Sequence, residues 1–189
     1  MLRERLVANS DSRDFLLFRR RFRMPYPLFL ELVKEVKSPG WKGFTTDETD
    51  LGGKGTRQCI PVELKLLACL QILGRGNALD DISQLSLMSE QTVQAVFNDF
   101  TARFARDFFP KLVMLPQGEA RGKILSEYAD VGFPGCLGSM DVTHIHWVGA
   151  PASQIYSYQG KEGFPTVAFE VVCDHNLRCL GCSKGFPGP

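Results

Sequence analysis

Asp141 stands inside an apolar run that holds Cys136, Leu137, Met140, Val142, Ile145, Trp147 and Val148. The run is β-prone, and a carboxylate in the middle of an apolar strand costs desolvation energy unless a cation or solvent meets it. A divalent metal is one such cation, and a strand end facing water is the plain alternative. Strict alternation groups Asp141, Thr143 and Ile145 on one face and Val142, His144 and His146 on the other. An Asp141–His144 metal pair is therefore not expected, and His144 reads as a packing or hydrogen-bonding residue. Cys179 and Cys182 form a C-x-x-C, with Cys173 and His175 crowded into the preceding turn. A zinc site needs two further ligands well placed, so packed thiols are the simpler reading.

A second source of chemistry is cationic. Residues 1–24 hold seven arginines, at 3, 5, 13, 19, 20, 21 and 23, against Glu4, Asp11 and Asp14. Within FRRRFRM, Phe18 and Phe22 alternate with the cations, which allows packing on one side and phosphate contacts on the other. A solvated arm without a ligand fits the same residues. GGKGTR, in the Gly- and Thr-rich stretch 40–58, lacks the spacing of a phosphate-binding loop and no strand leads into it.

The elements that must position these groups follow from periodicity. Strand signals lie at about 137–148, 165–173 and 177–183, the second being TVAFEVV before Cys173 and Asp174. Upstream, Pro25 and Pro27 introduce the amphipathic helix YPLFLELVKEV, which SPG at 38–40 ends. Pro61 begins another helix through Leu73, broken by Gly74 and Gly76; Asn77 or Asp80 caps a short helix, and Ser89 starts a longer one. Short helix, LMS turn and longer helix make a helix-turn-helix pattern whose second helix offers Gln91, Thr92, Gln94 and Asn98 outward. Reading DNA and simple packing beside another domain both fit. Asp80, Asp81, Glu90 and Asp99 weigh toward packing, because phosphate avoids an acidic surface.

Size and composition bound these readings. At 189 residues, 44% hydrophobic and 23% charged, the chain is ordinary for a globular protein and unlike a disordered one. A net charge of +1 leaves nucleic-acid binding to local clusters. No apolar stretch approaches 18 residues and no secretory leader precedes the cysteines, so reduced, buried thiols and no membrane partner are expected.

Three separated blocks resemble PIF/Harbinger-type transposases, including their plant and oomycete transposon proteins. These are FRRRFRMPYPLFLELV, the stretch from GKGTRQ to FNDF, and GSMDVTHIHW with YQGKEGFPTVAFEVVCDHNLRC and GFPG. The resemblance implies an α+β chain: an N-terminal helical, helix-turn-helix-like lobe followed by a partial ribonuclease H-like domain. The divisions it suggests are 1–58 (basic arm, first helix and loop), 59–120 (helical lobe) and 121–189 (nuclease domain). In the family pattern Gly-x-x-Asp-x-x-His-x-x-Trp, here Gly138, Asp141, His144 and Trp147, the Asp is the first catalytic metal ligand. Asp141 is thus the expected catalytic and metal-binding residue, with Mg²⁺ or Mn²⁺ as cofactor and double-stranded DNA as partner. The resemblance also implies a nuclear location and either a homo-oligomer or an accessory DNA-binding protein. Asp174 matches the family's strand-to-turn Asp, which is not a ligand. The family's second and third acids lie beyond GFPGP, so an endonuclease incomplete at its C-terminus and inactive by itself is expected, the alternative being a non-catalytic DNA- or protein-binding remnant.

Overall fold

The computed structural model describes residues 12–44 and 60–187. The GGKGTR reading, Cys59, Arg3 and Arg5 lie outside them. The chain divides into two compact units, Met1–Arg106 and Asp107–Pro189. Helices come first and an antiparallel sheet follows, so the α+β expectation holds.

The first unit is helical. Helix α1 (Arg13–Phe22) starts at Ser12, whose hydroxyl accepts from the Phe15 N–H at 3.3 Å. Within the stretch read as a basic arm, Arg13–Phe22 is therefore a helix, and its aromatics explain why. Phe18 lies 4.7 Å from Phe22, 5.0 Å from Tyr26 and 5.3 Å from Phe29, the last two on helix α2 (Tyr26–Val36). The arginines Arg19, Arg20 and Arg21 are left exposed. Pro25 caps α2 and Pro27 sits in its first turn, as the sequence suggested.

Helix α3 (Val62–Arg75) follows Pro61 and is tied to the end of α2 by Lys37 Nζ and Glu63 Oε1 at 2.7 Å. It runs through Gly74 instead of breaking there. A close approach accounts for the glycine: a Cβ on Gly74 would stand 2.9 Å from Arg23 Cγ, and Arg23 Nε donates to the Gly74 carbonyl at 3.4 Å. Gly76, at φ 67°, closes the helix in the left-handed conformation.

Helix α4 (Leu79–Ser86) and helix α5 (Glu90–Asp107) complete the unit. Neither Asn77 nor Asp80 caps α4; Ala78 precedes it with no side-chain cap. A core of Ala68, Ile82, Met88 and Val93, joined by Ile60, Ile72 and Leu79, knits α3, α4 and α5 together. The segment 41–44, read as loop, contributes a second core. A 3₁₀ turn (Lys42–Phe44) sets Trp41 and Phe44 against Phe100, each at 6.0 Å between ring centroids. The Gly43 N–H donates to Asp99 Oδ2 at 3.0 Å, and the Arg103 guanidinium lies 5.4 Å over the Trp41 ring.

Burial in this unit has a titration consequence. Desolvation pushes the Cys69 thiol from 9.0 up to about 12, with Asp99 adding to the rise and the residue's backbone hydrogen bond opposing it. The raised folded value favours the neutral thiol. Its contribution is fully present below the unfolded value and fades as pH climbs from about 9 toward 12. Alkylation at mildly alkaline pH is expected to spare Cys69 until urea unfolds the helices, which mass mapping of labelled peptides would check.

The second unit opens with the short helix α6 (Phe109–Leu112) and helix α7 (Gly118–Asp130). Strand β1 (Ser139–His146), the short helix α8 (Ile155–Tyr158), β2 (Thr166–Cys173), β3 (Cys179–Cys182) and β4 (Phe186–Pro187) follow. β1 pairs with the whole of β2, from Ser139 opposite Cys173 to His146 opposite Thr166. The other edge of β2 takes β3 at its C-terminal half and β4 at its N-terminal half. The expected three-strand antiparallel meander is present, and β4 extends it. Between β3 and β4 the ladder is carried by a side chain: the Glu170 N–H donates to Ser183 Oγ at 2.9 Å, and the Ser183 N–H to the Glu170 carbonyl at 2.9 Å.

Candidate catalytic strand and nucleic-acid interface

Because β1 pairs with β2 in unbroken register, the alternation read from sequence applies residue by residue. Asp141 stands opposite Val171, with Thr143 and Ile145 on its face; His144 and His146 lie on the other. His144 Nδ1 is 3.2 Å from Thr166 Oγ1, and His146 packs its ring 4.3 Å from Phe164. Both histidines are thus engaged away from Asp141. Every residue of β1 is exposed, and Asp141 Oδ1 accepts from the Val142 N–H at 2.9 Å.

The motif glycine has a geometric role. A Cβ on Gly138 would meet the Cys173 carbonyl oxygen at 2.5 Å. Only glycine lets the chain enter β1 that close to the end of β2. Trp147 closes the other end, its N–H donating to the Pro165 carbonyl at 2.9 Å and its ring edge-on to Tyr158 at 4.8 Å.

Asp174 behaves differently from Asp141. It is 6% exposed, and its Oδ1 accepts from the backbone N–H groups of Asn176 and Arg178, both at 2.9 Å. Those bonds shape the β2–β3 turn, so its carboxylate is spent on backbone donors. At the same turn His175 Nε2 reaches Glu127 Oε2 of α7 at 3.1 Å, and its ring stands edge-on to Tyr128 at 5.5 Å.

A Mg²⁺ or Mn²⁺ ion takes about six oxygen ligands. Among the described residues no three His, Cys, Asp or Glu side chains gather where they could hold a metal ion. Asp141 alone does not make such a centre. The same finding speaks against zinc at Cys173, His175, Cys179 and Cys182.

The helical unit offers the other surface. Ser89 Oγ accepts from the Thr92 N–H at 3.2 Å and starts α5, as the sequence indicated. Leu87, at φ 56° and 93% exposed, makes the left-handed turn between α4 and α5, while Met88 beside it is buried. α5 then presents Glu90, Gln91, Gln94, Ala95 and Asn98 along a shallow groove that Leu79 completes. Gln94 Nε2 donates to Asn98 Oδ1 at 2.8 Å, which orients two amides side by side. Asp99 is not among the groups this groove presents, since Gly43 holds its carboxylate. In the same unit Arg19, Arg20 and Arg23 surround a hollow of about 440 Å³ with Leu16.

Residues 114–188 match the family model described as "Plant transposon protein". This stretch carries β1 to β4 and Asp141. The match supports a transposon-derived, transposase-related protein. No curated protein and no solved structure matches the chain. Among the described residues no helix is long and apolar enough to cross a membrane.

Sequence reasoning missed the tie between His175 and Glu127, which joins residues distant in sequence and leaves no local pattern. It also missed that Cys173, Cys179 and Cys182 share one face of the sheet. The signal for that was present as C-x-x-C, but the strand irregularity that gives it meaning has no sequence marker.

Proposed function

We propose that the chain is a transposase-derived DNA endonuclease component of the Harbinger type. Asp141 contributes one carboxylate toward a Mg²⁺ or Mn²⁺ centre, and the helical unit binds duplex DNA. The observation that carries this reading is the position of Asp141, exposed in mid-strand on β1 within the segment similar to plant transposon proteins. A hard cation requires more oxygen ligands than this carboxylate supplies, so the 189-residue chain binds metal weakly and does not cut DNA by itself. Titration of Mn²⁺ by water-proton relaxation tests it. The expected result is millimolar affinity that weakens in Asp141→Asn, with no plasmid nicking above background. Unchanged affinity in Asp141→Asn removes the metal role, and nicking that Asp141→Asn abolishes shows that the chain is active alone.

A second reading, a non-catalytic DNA-binding protein, is favoured by the α4–α5 geometry, with its Ser89 cap and left-handed Leu87 turn. In both readings DNA binding rests on phosphate contacts from Arg19, Arg20 and Arg23, with the amides of Gln91, Gln94 and Asn98 reaching base edges. Fluorescence anisotropy with a duplex probe is expected to show affinity dropping steeply between about 50 and 200 mM salt. Replacing all three arginines with glutamine is expected to lower the salt slope by about 3. A slope that the triple substitution leaves intact would place the contact surface elsewhere.

A further inference from the structure

On a regular strand Cys179 and Cys182, three apart, point to opposite faces. β3 is not regular. Val171 pairs with Cys182 and Val172 with Gly181, but Cys173 pairs with Cys179, so Leu180 is an extra residue in the ladder. This bulge buries Leu180 and returns Cys179 to the face that Cys182 and Cys173 occupy. It is also the face of Asp141, since Asp141 stands opposite Val171 and Val171 opposite Cys182.

The hairpin places the first pair closer still. The Asp174 N–H donates to the Arg178 carbonyl at 3.1 Å, so the adjacent pair, Cys173 with Cys179, is a non-hydrogen-bonded pair of the ladder. Such pairs have Cα atoms about 4.5 Å apart, at the short end of the range of about 4.4–6.8 Å that a disulfide spans. All three thiols are half-buried and free, and Cys179 Sγ donates to the Gly181 carbonyl at 3.4 Å.

We propose that Cys173 and Cys179 are a redox-active cross-strand pair that closes to a disulfide by exchange with a low-molecular-weight disulfide such as oxidised glutathione. The Cys179 thiol loses its proton and attacks one sulfur of the reagent, and the glutathione thiolate that leaves takes up that proton. Cys173 then attacks the Cys179 sulfur of the mixed disulfide, loses its own proton, and releases the second glutathione as a thiol. The protein pair gives up two electrons and two protons, and one oxidised glutathione becomes two reduced molecules. Closure fastens β2 to β3 directly beneath the Asp174 turn. Desolvation, then the neighbouring Cys179, Asp174 and Cys182, holds the Cys173 thiol above its ordinary value. A lower thiolate fraction slows the attack of Cys173 on the mixed disulfide.

The experiment incubates the full chain with oxidised glutathione, blocks residual thiols by alkylation, and maps tryptic peptides by mass. Arg178 lies between the two cysteines, so cleavage there leaves two peptides that only a disulfide holds together. The expected product is this cross-link, lost on treatment with dithiothreitol, kept in Cys182→Ser, and replaced in Cys173→Ser by glutathione retained on Cys179. A wild-type product joined as Cys179–Cys182, a disulfide through Cys136, or glutathione retained with no cross-link would each overturn the proposal.

Discussion

Phe100→Ala is expected to destabilise the helical unit by about 3–5 kcal/mol, the range for removing a fully packed aromatic ring. Phe100 is 2% exposed and meets Trp41, Phe44 and Phe104 with ring centroids at 6.0, 6.0 and 5.5 Å. Its loss undoes the seat of the 3₁₀ turn as well as part of α5, and domain stabilities are only about 5–15 kcal/mol. Phe104 is half-buried, so Phe104→Ala is expected to cost about 1–2 kcal/mol. The chain's two tryptophans fall one in each unit, Trp41 in the first and Trp147 in the second. Urea unfolding followed by Trp41 emission in a Trp147→Phe background therefore reports the helical unit alone. A loss under about 1 kcal/mol for Phe100→Ala would mean that the Trp41–Phe44 segment does not depend on α5.

Trp41 and Phe44 sit in a Gly- and Thr-rich stretch with no period, and what buries them lies on a helix more than fifty residues later. Local pattern reports whether a residue is apolar and says nothing of its distant partner. Where the determinant is local, the reading succeeded: Ser89 starts α5, Pro27 enters the first turn of α2, and alternation along β1 separates Asp141 from His144. The candidate site divides along the same line. That Asp141 lies on a strand follows from its neighbours; whether other carboxylates gather near it is a tertiary question that composition does not address. Gly138 falls between the two. Its place in a motif was visible, but its cause, the Cys173 carbonyl against its Cα, required the fold. Helix α1 was missed because its periodic residues are interrupted by a block of arginines, yet Phe15, Phe18 and Phe22 still recur at helical spacing.

The largest expected effect in the sheet unit belongs to Asp174. Asp174 is buried, and two backbone donors share its Oδ1 at 2.9 Å. Removing a charged acceptor strands both N–H groups, so Asp174→Ala is expected to cost about 2–4 kcal/mol. Asp174→Asn keeps an oxygen at that position and is expected to cost about 1 kcal/mol. Asp141→Asn alters an exposed group that accepts from the neighbouring Val142 N–H, and is expected to stay within about 0.5 kcal/mol of the parent. Trp147 emission in a Trp41→Phe background would rank the three under urea. Hydrogen exchange at Val171, Val172 and Leu180 would show whether the loss is local to the hairpin. The order Asp174→Ala, Asp174→Asn, Asp141→Asn, from most to least destabilising, is the expected result, because stability follows burial and bonding and not position in the Gly138–Trp147 motif. An Asp141→Asn chain as unstable as Asp174→Ala would assign Asp141 a structural partner, and its carboxylate would no longer be free to meet a cation.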